Sequence, residues 1–188
     1  MRIIIVDNYD SFTYNIAHYV EQFANECVVV KIDELNIDDI ENYDKIILSP
    51  GPGLPNERPF QNQIIERFYK SKAILGVCLG HQALAEYFGA KLINMNNVHH
   101  GLARYTVNLS CDYLLKDIPK EFKTGRYHSW AVDNKSLPDV LEVLSLDKES
   151  KTIMAFRHKK YDIRAVQYHP ESILTESGLQ LIKNWVLH

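Results

Sequence analysis

Ala73-Ile74-Leu75-Gly76-Val77-Cys78-Leu79-Gly80-His81-Gln82-Ala83-Leu84 runs from an apolar segment through a glycine-flanked cysteine into helical spacing that continues at Tyr87 and Phe88. A strand, a sharp turn and a helix fit this pattern, and the alternation recurs upstream. Ile3 to Val6 reads as a buried strand, followed at helix spacing by Phe12, Ile16, Tyr19 or Val20, and Phe23, with Ser11 as the N-cap. Val28 to Ile32 and Ile46 to Leu48 are further buried strands, and Ile64, Ile65 and Phe68 mark a helix before the strand Ala73 to Val77. The expectation is an α/β fold: a doubly wound (flavodoxin-like), mostly parallel central sheet with helices on both faces and sites beyond the carboxyl ends of its strands. Thr106 to Leu109, Val140 to Ser145, Ile153 to Arg157 and Ile163 to Tyr168 then follow with little helix between them. They predict an additional small antiparallel or mixed extension of the sheet, closed by a helix from about Glu176 to Val186.

The chain has 188 residues, 46% of them apolar and 24% charged, enough for one sizeable core and a single domain over residues 1–188. A net charge of -3 and a pI near 6.2 argue against a broad footprint for nucleic acid or anionic lipid. A small molecule or another protein is the expected partner. Met1-Arg2-Ile3-Ile4-Ile5-Val6-Asp7 meets an acidic residue too early for a signal-peptide core, and no apolar run approaches membrane-spanning length. The expected home is the cytoplasm. Cys27, Cys78 and Cys111 match neither a disulfide framework nor a zinc ribbon, as in a reducing compartment.

A cysteine in Gly76-Val77-Cys78-Leu79-Gly80, at a strand-to-helix junction, is the thiol form of a nucleophile elbow. The glycines permit a sharp turn that lifts the nucleophile clear of the sheet, and the helix N-terminus favours thiolate over thiol. Cys27 and Cys111 lack such surroundings and read as structural. His169 and Glu171, two apart around Pro170, project to the same face of an extended segment, where a carboxylate holds an imidazole in one tautomer. Cysteine, histidine and glutamate form a complete set for acyl transfer. Oxyanion donors are expected from Leu79 N–H, just after the nucleophile, and from Gly51 N–H in Ser49-Pro50-Gly51-Pro52-Gly53 at a neighbouring strand end. That loop has no third glycine and no helix directly after it, which excludes a dinucleotide fingerprint, and the chain has no phosphate loop.

The segments Asp7-Asn8-Tyr9-Asp10-Ser11-Phe12-Thr13-Tyr14-Asn15, Leu48 to Gly53, Gly76 to Gln82, Arg126-Tyr127-His128-Ser129 and Val166-Gln167-Tyr168-His169-Pro170-Glu171-Ser172 occur in this order. In this the chain resembles the class I (triad-type) glutamine amidotransferases over essentially its whole length. The first two segments resemble the glutaminase components of anthranilate synthase and of aminodeoxychorismate synthase. The resemblance implies that Cys78 attacks the side-chain amide of L-glutamine, His169 serves as acid and then base, and Glu171 orients His169. It implies that Gly51, Pro52, Gly53, Gln82, Ser129 and Trp130 hold the glutamine. It also implies that ammonia passes to a chorismate-utilising synthase on a separate polypeptide, docked over the face bearing Cys78. No cofactor or metal is expected in this chain, and Mg2+ is expected on the partner synthase.

Two departures stand out. Family members often carry Met-His-Gly-Lys where this chain has Val98-His99-His100-Gly101-Leu102, and Trp130 stands where a smaller leucine or valine is frequent. His81 lies on the helix after the elbow, is expected to lead away from the sulfur and reads as structural; His81, His99 and His100 lack the spacing of a metal site. Two other classes remain to be separated. A non-enzymatic receiver module would need a phosphoacceptor aspartate where Ser49-Pro50-Gly51 stands, and a free-standing gamma-glutamyl thiol hydrolase would act without a synthase.

Overall fold

The computed structural model describes residues 1–95 and 101–188. The β-branched run Ile3-Ile4-Ile5-Val6 forms strand β1 (Arg2–Asp7) and sends alternate side chains to opposite faces. Ile3 and Ile5 join a core layer with α1 (Thr13–Glu21) and α4 (Gly178–Leu187); Ile4 and Val6 join a second layer with α2 (Pro59–Phe68) and α3 (Leu79–Tyr87). A sheet buried on both sides requires such double cover, and each helix supplies an apolar stripe at helical spacing.

Strands β2 (Glu26–Lys31), β3 (Lys45–Leu48), β4 (Ala73–Val77) and β11 (Ile163–Val166) lie parallel with β1 in the order β2-β1-β3-β4-β11. The sheet continues with antiparallel β10 (Ile153–His158), β9 (Leu141–Asp147), β6 (Leu102–Asn108) and β7 (Glu121–Arg126). The expected architecture is present, and its antiparallel part supplies four of the nine strands described in this sheet. A separate antiparallel pair joins β5 (Leu92–Asn94) to β8 (Trp130–Val132).

Ser11 is not the cap of α1. The N-cap position is Phe12, with no side-chain capping bond. Asp7 holds the turn instead, its Oδ1 accepting from Thr13 Oγ1 at 2.7 Å and Tyr9 N at 3.0 Å, while Asp10 Oδ1 accepts from Phe12 N at 2.8 Å. The last helix starts at Gly178, two residues later than expected from the sequence.

The outer edge of β7 is covered by the segment that carries His169. His169 N donates to Gly125 O at 3.1 Å, Gly125 N donates to Thr175 Oγ1 at 2.9 Å, and Glu176 N donates to Lys123 O at 3.0 Å. These bonds remove an open sheet edge and fix the segment. Gly178 closes it from the other side, because a Cβ built there falls 1.7 Å from Pro170 O. Gly178→Ala is therefore expected to lower stability by about 2–3 kcal/mol, a fall in melting temperature of roughly 5–10 °C. Because Pro170 must move, glutamine hydrolysis should fall with it; thermal denaturation and an ammonia-release assay check both.

Candidate active site

The site lies beyond the carboxyl ends of β1, β3, β4 and β11. Cys78 caps α3 at φ 51° and ψ -98°, a conformation an L-residue adopts only under constraint. Its flanking glycines permit the sharp turn through the side chains they lack rather than through their own φ. The positive φ belongs to Cys78 itself. A Cβ on Gly76 would sit 2.6 Å from Gly80 O, and one on Gly80 would sit 2.3 Å from Leu48 O. Their missing side chains let the turn press against the helix and β3, and Cys78 N donates to Val166 O at 2.8 Å.

The Ser49–Gly53 loop is held by buried Asn8. Its N–H donates to Ser49 Oγ at 2.8 Å, and its Nδ2 donates to Ser49 O at 3.0 Å and Gln61 Oε1 at 2.7 Å. Gly51 then packs so closely that an added Cβ would lie 2.6 Å from Asn8 Cβ and 2.9 Å from Leu79 Cδ2. Gly51 thus lies against the Leu79 side chain and both residues line one cavity, and Leu79 N–H, at the first helical position, has no acceptor within its own helix.

A cavity of about 130 Å³ opens beside Cys78. Gly51, Pro52, Gly53, Leu79, Gln82, Ser129 and Trp130 all line it, joined by Tyr127 and His128. It suits an amino-acid-sized ligand, being smaller than the roughly 300–1,000 Å³ of drug-sized sites. A larger cavity of about 730 Å³, between Asn108 and Lys120, holds none of these groups.

His169 and Glu171 are both buried, and His169 Nδ1 is 2.6 Å from Glu171 Oε1. Burial disfavours a charged ring, but the Cys78 sulfur and Glu171 outweigh it and hold the His169 pKa well above its ordinary value. Nδ1 is committed to Glu171, which leaves Nε2 without a hydrogen-bond partner among the described residues. Phe12 and Tyr127 pack edge-on against the imidazole at 6.1 and 4.8 Å. His81 is fully buried against Phe156, and burial, reinforced by His128, lowers its pKa to about 3, so its ring is uncharged at neutral pH. Val98, His99 and His100 lie outside the described residues.

Four contributors escaped the sequence reading. Asn8 anchors the loop, the Phe12 and Tyr127 rings wall the imidazole, and Gln167 touches the nucleophile, its Nε2 lying 3.6 Å from Cys78 Sγ. All lie inside the motif segments, so position gave a hint, but their partners are distant in sequence. Gln82 also differs in detail from a simple ligand holder. Both hydrogens of its amide are spent, on Trp130 O at 2.9 Å and Gln167 Oε1 at 3.1 Å, leaving its Oε1 to face a ligand donor.

The family model for glutamine amidotransferase class-I matches residues 4–188. The chain belongs to this family. Relatives of this amidotransferase include anthranilate synthase component 2 of Saccharolobus solfataricus, 42% identical over 97% of this chain and 96% of that protein. Aminodeoxychorismate synthase component 2 of Klebsiella aerogenes is 39% identical over 98% of each chain. A Thermoplasma acidophilum protein of solved structure shares the fold, with a TM-score of 0.88 at 22% identity over 99% of this chain and 92% of the other. Among the described residues no helix is long and apolar enough to cross a membrane.

Proposed function

We propose that this amidotransferase is the glutaminase subunit of anthranilate synthase, hydrolysing L-glutamine through a cysteinyl-glutamyl thioester and passing ammonia to a chorismate-binding component I. The observation that carries the reading is the buried His169–Glu171 pair acting on Cys78 beside an amino-acid-sized cavity. His169 takes the thiol proton as Cys78 Sγ attacks the side-chain amide carbon of glutamine, and the oxygen gathers negative charge against Gly51 and Leu79 N–H. His169 gives its proton to the departing nitrogen, so ammonia leaves as the C–N bond breaks. Water, deprotonated by His169, then attacks the thioester, releasing glutamate and restoring the thiol. Glu171 keeps the imidazole in one tautomer through both halves. Pro52, Gly53, Ser129 and Trp130 frame the glutamine. We assign no cofactor to these steps, because nucleophile, acid, base and donors are all protein groups; magnesium belongs to the partner in this reading.

Ammonia freed into neutral water becomes ammonium and loses its nucleophilicity, so delivery requires a partner seated over the site. Ile173, 99% exposed, and Tyr14, 68% exposed, stand next to the loops that carry His169 and Phe12 and support an apolar contact on that face. Relatives named for both synthases lie at similar identity, which favours a second reading in which one glutaminase serves both partners. The product is then chosen by the partner's active site. Mixing the purified chain with each component I of its own organism, plus chorismate and glutamine, distinguishes these readings. Glutamine-dependent anthranilate is expected. Aminodeoxychorismate as the only product would move the assignment to the other pathway, and product with both partners would establish sharing. Glutamine-dependent product with neither would overturn the subunit assignment.

A further inference from the structure

Gln167 is fully buried directly after β11, and both ends of its side-chain amide are committed. Its Nε2 donates to Cys78 Sγ at 3.6 Å, and its Oε1 accepts from Gln82 Nε2 at 3.1 Å. Gln82 Nε2 in turn donates to the Trp130 carbonyl at 2.9 Å. A backbone carbonyl only accepts, so it dictates which end of the Gln82 amide faces it. That choice presents a donor to Gln167, whose oxygen must therefore turn toward Gln82 and whose nitrogen must turn toward the sulfur. Reversing Gln167 would set two donors against each other in a buried place and an acceptor against the sulfur.

We propose that Gln167 is a positioning residue for the nucleophile, holding the Cys78 sulfur as a hydrogen-bond acceptor through a one-way relay whose direction is set by the Trp130 carbonyl. The proposal rests on Cys78 being the nucleophile. A donor aimed at sulfur is worth most while the sulfur carries negative charge, the form that attacks. Ser129 and Trp130 also wall the glutamine cavity.

Site-resolved alkylation by iodoacetamide, followed by peptide mass spectrometry between pH 5.5 and 9.5, tests this. The titratable groups around the sulfur are His169 and Glu171 after β11, His81 on α3 and His128 before β8, all retained in the variants. Exposed Cys111 serves as an internal reference in each sample. Gln167→Met keeps the length and removes the donor. Its Cys78 alkylation near neutral pH should fall by about tenfold, the worth of one charge-assisted hydrogen bond, and rejoin the native rate at high pH, with Cys111 unchanged. General loosening would instead speed labelling of a buried thiol. An unchanged Cys78 profile, or a change equal at every pH, would overturn the proposal. Should Gln167→Met fail to fold, Gln167→Glu keeps the shape and replaces the donor with an acceptor, and the same two outcomes apply. The alkylation readout needs neither glutamine nor partner, so it is separable from the role of Cys78, which Cys78→Ala tests alone.

Discussion

Cys78→Ala is expected to lower glutamine-dependent synthesis by the assembled complex about 10⁴-fold or more, while the same complex supplied with ammonium salt at alkaline pH retains its native rate. The first effect follows from losing the atom that forms the thioester in the proposed mechanism. The second follows because the glutamine site and the site that consumes ammonia reside on different chains in the proposed assembly. Cys78 is buried at the turn, and alanine keeps the Cβ that the backbone already accommodates, so the fold should persist. Parallel assays with glutamine and with ammonia measure both rates. Retained glutamine use would exclude the nucleophile, and simultaneous loss of both activities would indicate a failure of assembly.

Glu171→Gln is expected to be the second largest lesion, with a fall in glutamine kcat of about 10²–10⁴-fold, as for loss of a carboxylate that orients a catalytic imidazole. Glu171 Oε1 sits 2.6 Å from His169 Nδ1 and raises the pKa of the ring together with the sulfur. Removing that charge lowers the His169 value. The sign follows from linkage: a raised histidine contributes stability that is complete below its unfolded pKa and is lost as pH rises through the folded value. The native complex should therefore hold the alkaline limb of kcat/KM well above the ordinary histidine range, and Glu171→Gln should move that limb to lower pH. Melting temperature followed against pH should show the same displacement. A limb that stays in place would refute the role given to Glu171.

What the residues disclosed in advance, and what they concealed, divides along local and distant causes. The strand Ala73 to Val77 was readable to the residue because its apolar run, the glycine pair and the helical spacing beyond it are contiguous. His169 and Glu171 were readable as a pair, but the extended segment expected for them is a turn: Ser172 N donates to His169 O at 3.3 Å, and the carboxylate reaches the imidazole around Pro170 rather than along a strand face. Ser11 misled because Asp7 and Asp10, which supply the bonds at the helix entry, also suit a turn before a helix, and only the bent backbone decides among them. Strand β7 was missed because Glu121-Phe122-Lys123-Thr124-Gly125-Arg126 carries three charged residues and a glycine. Arg126 is nevertheless fully buried, paired to Asp147 on β9 and donating to Thr106 Oγ1 at 3.1 Å. A partner across the sheet leaves no local signature. Gln167 escaped for the same reason, since its contacts, Gln82 and Cys78, reach it only when β4 and β11 pair.

The covered edge of β7 has a temporal meaning as well. Cys78 lies between a strand and a helix of neighbouring residues, yet its own N–H closes on Val166 O, so the turn waits for β11. His169 is locked only when its segment is bonded to Gly125 on an outer antiparallel strand, a late and non-local closure. The turn of Cys78 and the seat of His169 are therefore both finished by the C-terminal part of the chain, so in the proposed mechanism thiol and acid-base partner become competent together.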